Sequence, residues 1–394
     1  MFSWGSNSHG QLGIGSTIDK HMPSEVPFVQ TPSFISGGGT FSIFAEGRTI
    51  WIAGQLKPKE LATQRATFQV LGEIEEGISA LACGWDFILV LSQSGKLYFG
   101  GHNTPGFLLK DMPITKWLDG LASVTNVPPI QHIAAGLCHA VVISDIGSIL
   151  QWTGNQLRDV DLALGNQTSE RVIGCAAGAC HAIVWTDAGN VGVWGDVRFG
   201  QGGISPCLLS DEKGRSGRTD QIQWIRNEFF DNDRIIDIQS GWSHILALTE
   251  SGKVFSWGRN DFGQLGRQSP IGQMSNNGRL GASWPVSGLT FDATPRPIPL
   301  PSKIVAISAG SEHCLALDSA GGVWAWGWNE HGMCGTSGNC SVALSDEELS
   351  EPLTPSHPGW CIREPRPVQL VGKATCIAAG YGHSMALTNT QPSQ

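Results

Sequence analysis

The sequence predicts an all-β fold, a seven-bladed β-propeller closed by pairing of its N-terminal and C-terminal strands. Three observations lead to this prediction: a Gly-x-x-His string recurs seven times, one copy being degenerate; a β-hairpin pattern follows six of the strings; and each chain end carries half a hairpin. Repetition of one supersecondary unit is typical of propellers and solenoids, in which neighbouring units bury each other's apolar faces.

The repeated string reads Gly-x-x-His between small or apolar residues, as in AAGLCHAVVI and SAGSEHCLAL. We expect its glycines to serve backbone geometry, through a positive φ or close strand packing. The histidines could ring a metal ion, but their apolar neighbours, and Phe41 and Phe87 in two copies, favour buried neutral imidazoles bonded to neighbouring backbone. The glycines are Gly38, Gly84, Gly136, Gly178, Gly241, Gly310 and Gly380, and the histidines are His139, His181, His244, His313 and His383.

A tight turn follows the strings, as in SDIGS, TDAGN and TESGK, and apolar runs rich in Val, Ile and Trp flank it. Glycine there supplies positive φ, and Asp or Ser bonds the local backbone. The pattern indicates a β-hairpin in each unit. Its acidic residues, Asp145, Asp187, Glu250 and Asp318, are therefore interpreted as turn residues and not as a catalytic carboxylate pair.

The two chain ends supply complementary halves of a hairpin. The sequence begins with FSWG, a second strand without a first, and ends with CIAAGYGHSMAL, a first strand without a second. Their pairing would complete the seventh unit and leave no strand edge exposed. We therefore expect residues 1–394 to form a single propeller, with long loop insertions near 202–234, 267–303 and 336–366.

Composition and charge exclude several function classes. The net charge of −9 opposes sequence-independent binding of nucleic acid. No apolar run reaches the ~20 residues of a membrane helix, and the first residues, MFSWGSNSHG, do not resemble a secretory signal. We expect a cytoplasmic protein, with the nucleus as a second compartment, whose ten cysteines are reduced and mostly buried. No cofactor motif is present.

The segment VWAWGWNEHGMCG, residues 323–335, resembles a catalytic site because Glu330, His331 and Cys334 lie close together. Two copies of this segment occur, SWGSNSHGQLG and FSWGRNDFGQLG. Both have leucine at the position of the cysteine, and at the position of the histidine the first copy has histidine and the second has phenylalanine. Free cysteine packs as a small apolar residue. We therefore assign the segment a structural role and predict no catalytic residue and no metal site.

In these motifs the chain resembles the regulator of chromosome condensation repeat family, in which Gly-x-x-His units alternate with W-G-x-N-x-x-G-Q-L-G elements. ACGWDF, SGWSH followed by FSWGRNDFGQLGR, and WGWNEHGMCG are similar to its secretion-regulating guanine nucleotide exchange factor branch. A fungal relative, the alpha-tubulin suppressor protein, carries similar CGWD and WGW-x-EHG elements. A plant UV-B photoreceptor built on these repeats has Gly-Trp-Arg-His strings, whose arginine is replaced here by Asp86 and Ser243, so photoreception is not expected.

The resemblance implies two functional classes. One is guanine nucleotide exchange on a small GTPase, which needs no covalent chemistry. The other is a non-catalytic scaffold that binds a secretory-pathway or small-GTPase partner. The fungal relative implies instead a small zinc protein of the diphthamide and tRNA wobble-modification pathway as partner.

Hairpin geometry predicts where a partner binds. The start of a hairpin's first strand lies beside the end of its second, so the Gly-x-x-His and Trp-Gly elements should emerge on one face and the turns on the other. We expect a basic or mixed partner to bind that first face. The alternative is that its aromatic rings only fill the mouth of the central channel. The proposed partner-binding residues are Trp85, Asp86, Trp242, Arg259, Asp261, Glu312, Trp328, Glu330 and Tyr381.

Overall fold

A computed structural model shows how the repeats assemble. It describes residues 1–27, 32–56, 65–101, 118–124, 127–153, 156–162, 170–203, 217–268, 272–273, 290–336 and 359–389. In that part of the chain, no helix has the length and hydrophobicity that a membrane crossing requires. The described residues contain one regular helical segment, a 3-10 turn at Asn227–Phe230.

Seven antiparallel sheets form a ring, which confirms the seven-bladed β-propeller. The first strand of each sheet contacts the first strand of the next sheet, and these contacts run through all seven sheets back to the start. The strands of each blade are given from the axis outward. Blade 1 contains β3 (Phe34–Gly37), β4 (Phe41–Glu46), β5 (Thr49–Gly54) and β6 (Arg65–Glu73), and blade 2 contains β7 (Ile78–Cys83), β8 (Phe87–Ser92), β9 (Leu97–Gly101) and β10 (Leu118–Ser123). Blade 3 contains β11 (Ile130–Ala135), β12 (His139–Ser144), β13 (Ile149–Thr153) and β14 (Gln156–Asp159), and blade 4 contains β15 (Val172–Ala177), β16 (His181–Thr186), β17 (Val191–Asp196) and β18 (Arg218–Ile225). Blade 5 contains β19 (Ile235–Ser240), β20 (His244–Thr249), β21 (Val254–Arg259), β23 (Thr290–Pro297) and β22 (Gly272–Gln273). Blade 6 contains β24 (Ile304–Ala309), β25 (His313–Asp318), β26 (Val323–Trp328) and β27 (Cys361–Pro367). Blade 7 contains β28 (Lys373–Ala379), β29 (His383–Asn389), β1 (Phe2–Gly5) and β2 (Lys20–Glu25).

The second strand of each blade is the most deeply buried. All six residues of β8, β12, β16, β20 and β25 are buried, and most are apolar, as in HAVVIS of β12. Neighbouring blades cover both faces of these strands, so the strands show continuous apolar runs instead of alternation. The expected hairpin register holds: His313 pairs with Gly327.

Terminal pairing closes the ring as predicted. β1 pairs with β29, with Phe2 opposite Ala386 and Gly5 opposite His383. Trp4 is fully buried, and its Nε1 donates a hydrogen bond to the Met333 carbonyl of blade 6 at 2.8 Å. The N-terminal residues therefore complete blade 7 and also attach it to the preceding blade.

The three segments that we expected to be loop insertions differ from that expectation, because each contains an outer strand of its blade. β18, β23 and β27 lie inside 202–234, 267–303 and 336–366 or run to their ends. These outer strands bury few residues, so they tolerate polar residues and proline, as in TFDATPRP and CIREPRP. The parts of these segments at 204–216, 269–271, 274–289 and 337–358 lie outside the described residues.

The cysteines agree only in part with the expectation that they are mostly buried. None of the eight described cysteines forms a disulfide. Cys175, Cys314 and Cys334 are buried, whereas Cys138 and Cys180 are exposed. These two directly precede the histidine of their repeat string.

Candidate functional site

We call the surface that carries the Gly-x-x-His and Trp-Gly elements the loop face, and the opposite one, with the hairpin turns, the hairpin face. At the centre of the loop face, the residue after each repeat glycine donates its backbone N–H to the next blade. Seven such bonds form a closed ring around the channel mouth. They run from Gly39 to Trp85 (2.9 Å), Trp85 to Leu137 (3.2 Å), Leu137 to Gly178 (3.2 Å), Ala179 to Trp242 (3.1 Å), Trp242 to Ser311 (2.9 Å), Ser311 to Tyr381 (3.2 Å) and Tyr381 to Gly38 (3.1 Å).

Close packing, and not positive φ, explains the repeat glycines. None of the seven has a positive φ. A Cβ on Gly310 would lie 2.2 Å from the imidazole Cε1 of His313 and 2.6 Å from the carbonyl oxygen of Gly380 in the next blade. The glycine of the Trp-Gly element is the one that needs positive φ, as at Gly327 with φ 102°. Of the two expected explanations, close packing applies to these glycines and positive φ does not.

The repeat histidines are buried, and burial lowers their pKa values to about 4 for His139 and about 3 for His313. Their partners differ from the expectation of neighbouring backbone. His139 Nε2 meets the carbonyl oxygen of His181 at 3.2 Å, whereas Nε2 of each of the other four histidines reaches a side chain of the next blade. Those contacts join Nε2 of His181 to Ser240 Oγ (2.9 Å), of His244 to Cys314 Sγ (3.1 Å), of His313 to Ser384 Oγ (3.0 Å) and of His383 to Ser42 Oγ (2.7 Å).

The Trp-Gly loops surround this centre, and their asparagine shapes them. Asn329 Oδ1 accepts the backbone N–H of Cys334 at 2.8 Å, and Asn260 does the same for Leu265 at 3.1 Å. Cys334 is fully buried, and burial raises the pKa of its thiol. Cys334 thus occupies the place of a leucine in a structural loop. Within the described ranges, no three His, Cys, Asp or Glu side chains cluster in a way that could hold a metal ion.

Three aromatic residues meet over the channel mouth. Trp85 lies 5.3 Å from Tyr381 and 6.3 Å from Trp242, and Trp242 lies 6.1 Å from Tyr381, measured between ring centroids. All three occupy the repeat position whose N–H builds the hydrogen-bonded ring, so they converge from blades 2, 5 and 7. Beneath them, the inner strands enclose a cavity of about 300 Å³. The rings therefore do cover the channel mouth, yet Trp85 remains 40% exposed.

Arg259, Asp261 and Glu312 form a buried charge cluster between blades 5 and 6. The Arg259 guanidinium donates to Glu312 Oε1 at 2.9 Å and to Asp261, and it stacks between Phe199 and Phe262 at 5.3 and 5.2 Å from their centroids. Glu312 is 3% exposed. Its pKa is raised to about 7 because burial outweighs the opposing effect of Arg259. Glu312 is therefore not accessible to a partner, and the cluster connects the loops of blades 5 and 6.

Trp328 lies between this charge cluster and blade 7. Its ring lies 6.1 Å from Phe262 and 5.9 Å from His331, whose Nδ1 meets Asp19 Oδ2 at 2.7 Å. The Asp19 carboxylate raises the pKa of His331. Glu330, beside Trp328, is partly exposed. We call Phe199, Arg259, Phe262, Trp328, His331 and Trp360 the aromatic belt.

Sequence reasoning missed Phe199, Phe262 and Trp360 as members of this site. Phe262 and Trp360 are 5.4 Å apart, edge to face. A signal was present, because Phe199, Phe262 and His331 occupy one position of the Trp-Gly repeat. Trp360 gave no such signal, because it lies outside the Trp-Gly repeat and reaches the belt only through the folding of blade 6.

A seven-bladed ring of these repeats, with its glycine, histidine and Trp-Gly contacts, defines a class of protein. Residues 1–386 match the model of the RCC1-like domain, and the chain belongs to that family. The secretion-regulating guanine nucleotide exchange factor of Mus musculus is 31% identical over 98% of this chain and 83% of its own length, and the Bos taurus protein is 31% identical over 87% and 77%. Prp20p of Saccharomyces cerevisiae shares the fold with TM-score 0.74 and 18% identity, over 98% of this chain and 90% of that one.

Proposed function

We propose that the chain is a protein-interaction regulator that binds its partner on the loop face. One observation carries the proposal: the channel mouth and the belt bring together large aromatic residues that the repeat does not require. Trp85, Trp242 and Trp328 have no tryptophan at the equivalent positions of most other blades, whereas Trp257 and Trp326 recur and are fully buried. Aromatic anchors with a polar rim are typical of binding hot spots.

A small GTPase or a secretory-pathway protein is the partner we propose. The support is the 31% identity to the mouse secretion-regulating guanine nucleotide exchange factor along nearly the whole chain. Prp20p, which shares the fold, has been described with its binding properties to Gsp1p and histones. We also propose a cytoplasmic location, with the nucleus as a second compartment, which imaging of a fluorescent fusion would test.

Nucleotide exchange is the activity we propose for a GTPase partner. Such a protein binds the nucleotide-free GTPase more tightly than the loaded form, so binding energy drives release without covalent chemistry. The purified chain should be mixed with a panel of secretory-pathway GTPases, and with Ran, each loaded with fluorescent GDP. Release well above the spontaneous rate is expected for one of them. If no GTPase responds, exchange is excluded and the scaffold role is left for the partner recovered by pull-down.

Loop-face variants test the binding site itself. Trp328→Ala and Glu330→Lys should each weaken partner binding by about 1–3 kcal/mol, because they remove an aromatic anchor and reverse a rim charge. Isothermal titration against the identified partner measures this. Trp326→Ala is the matched control: Trp326 is fully buried and donates to the Gln264 carbonyl at 2.8 Å, so its loss should cost about 3–5 kcal/mol of folding stability. Full affinity in both loop-face variants would place the partner on another surface.

A further inference from the structure

The hairpin face carries a feature that the loop face does not share. In four consecutive blades, 4 to 7, the residue seven positions before the repeat glycine is basic, whereas blades 2 and 3 have Gly77 and Pro129 there. The chain has only 25 Lys and Arg residues and a net charge of −9, so four at one repeat position form a local concentration of positive charge. These residues are Arg171, Arg234, Lys303 and Lys373.

Backbone hydrogen bonds place the basic residues of blades 4 to 6 beside the hairpin turns of their own blades. The carbonyl of Lys303 accepts the N–H of Ser319 at 2.9 Å, and the carbonyl of Arg234 accepts that of Glu250 at 2.8 Å. The lysine stems also lie over the turn of the preceding blade. A Cβ on Gly252 would be 2.3 Å from Lys303 Cγ. The blade 7 lysine lies over the blade 6 turn in the same way, so the basic residues follow the ring of turns from blade to blade.

Exposed aliphatic side chains lie between these basic residues. In six blades the strand register slips at the residue five positions before the repeat glycine, which forms a β-bulge. The bulge leaves Ile236 of blade 5 45% exposed and Val305 of blade 6 47% exposed. Val371, just before β28, is 71% exposed. The bulged residues of blades 2, 3 and 7 are polar: Ser79, Gln131 and Thr375.

The two arginines of this set differ from the two lysines in their ion pairs. Arg171 pairs with Asp187 at 3.3 Å, and Arg234 approaches Glu250 at 4.0 Å. In blade 6 the residue that occupies the place of those acids is Ser319, which carries no charge. Within the described ranges, neither Lys303 nor Lys373 forms an ion pair with a carboxylate. Blades 5 to 7 therefore present two exposed lysines among exposed aliphatic residues.

We propose that this surface binds an acidic, extended segment of a partner protein, in which carboxylates alternate with aliphatic residues. Side chains of an extended segment alternate between its two sides, so such a segment can direct carboxylates toward the lysines while its aliphatic residues meet Ile236, Val305 and Val371. A lipid surface fits less well. Two lysines attract an anionic bilayer weakly, whereas an extended segment can also place aliphatic residues against Ile236, Val305 and Val371. The proposal is independent of the loop face and of the exchange activity.

The test uses the full chain and a fluorescent twelve-residue peptide that alternates Glu with Val, followed by fluorescence anisotropy. We expect saturable binding that weakens as salt is raised. The double variant Lys303→Glu, Lys373→Glu should weaken it about tenfold or more, because each exposed ion pair supplies up to about a fivefold effect and charge reversal adds repulsion. Val305→Asp should weaken it as well.

Lys96→Glu is the matched control. Lys96 belongs to the hairpin of blade 2, on the same face but across the ring, and pairs there with Glu75 at 2.9 Å. This variant should bind like the unmodified chain, and thermal melts should show all variants folded. The proposal is overturned if the peptide does not bind at millimolar concentration, if the double variant binds it unchanged, or if a Lys–Val peptide binds equally well. Binding of anionic vesicles, but not of the peptide, would assign the surface to lipid instead.

Discussion

At the scale of single residues, the repeat histidines are groups that folding keeps neutral. His313 is fully buried, and its pKa is about 3, far below the ordinary value of 6.5. Phe41 and Phe87 show that an aromatic ring without titratable nitrogen can occupy the same repeat position. The histidine is therefore an exchangeable spacer between blades whose charge state makes stability depend on pH.

We predict that His313→Phe makes the free energy of unfolding less dependent on pH. The unfolded histidine takes up a proton below about pH 6.5 and the folded one only near pH 3, so stability is present above 6.5 and is lost as pH falls. Each such histidine should cost on the order of 1–2 kcal/mol at pH 5. Urea unfolding at pH 7 and pH 5 measures the difference. His9→Phe, outside the ring of histidines, is the control, and an equal pH dependence in both variants would contradict the prediction.

Glu312 acts with the opposite sign, which is why the comparison uses the variant and the unmodified chain at both pH values. Its pKa in the folded protein is about 7, above the ordinary 4.5. Its contribution to stability is therefore largest below pH 4.5 and declines as pH rises toward 7. This dependence is common to both proteins and cancels in the difference.

At the scale of the strand and loop, the repeat glycine sets the distance between blades. At Gly310, the imidazole of its own blade and the carbonyl of the next blade both lie close to the position that a Cβ would occupy. A larger residue would have to move one of them, and both belong to a closed ring.

We predict that Gly310→Ala destabilises the protein by about 2–3 kcal/mol, because the added methyl would lie 2.2 Å from His313 and 2.6 Å from a backbone oxygen. Gly72→Ala in β6 is the control, since no atom lies within 4 Å of its Cβ position. That variant should change stability by less than about 0.5 kcal/mol. Chemical denaturation compares the two. Equal stability would mean that the inner strands can separate to admit a methyl group.

At the scale of the whole molecule, the N-terminal strand completes the ring. Phe2 and Trp4 are buried in blade 7, and Trp4 also bonds to blade 6. Without β1, the edge of β29 and the side of blade 6 would both face water.

Deleting residues 1–8 should lower the free energy of unfolding by on the order of 5 kcal/mol, through an exposed strand edge and lost core side chains. Thermal melts measure the loss as a lower melting temperature. Deletion of 390–394, which follows the last residue of β29, is the control and should leave the melting temperature unchanged. If both truncated proteins melt at the temperature of the full chain, closure does not depend on β1.

Much of this architecture could be predicted from the sequence. The repeat gave the blade number, the hairpin register and the terminal closure because each depends on residues close together in the chain or at fixed repeat positions. The buried role of Cys334 followed from its leucine counterparts. The outer strands β18, β23 and β27 were not predictable in the same way, since an edge strand with polar residues has little hydrophobic signal.

The sequence by itself thus determined the propeller and the face on which the Gly-x-x-His and Trp-Gly elements emerge. Only the tertiary structure decided what those residues do there. It showed that Glu312 is buried against Arg259, that Trp85, Trp242 and Tyr381 meet over one channel, and that Lys303 and Val305 share an exposed surface. The physical reason is that side-chain contacts between blades join residues tens to hundreds of positions apart. No local pattern records such contacts, because they exist only once the ring has closed.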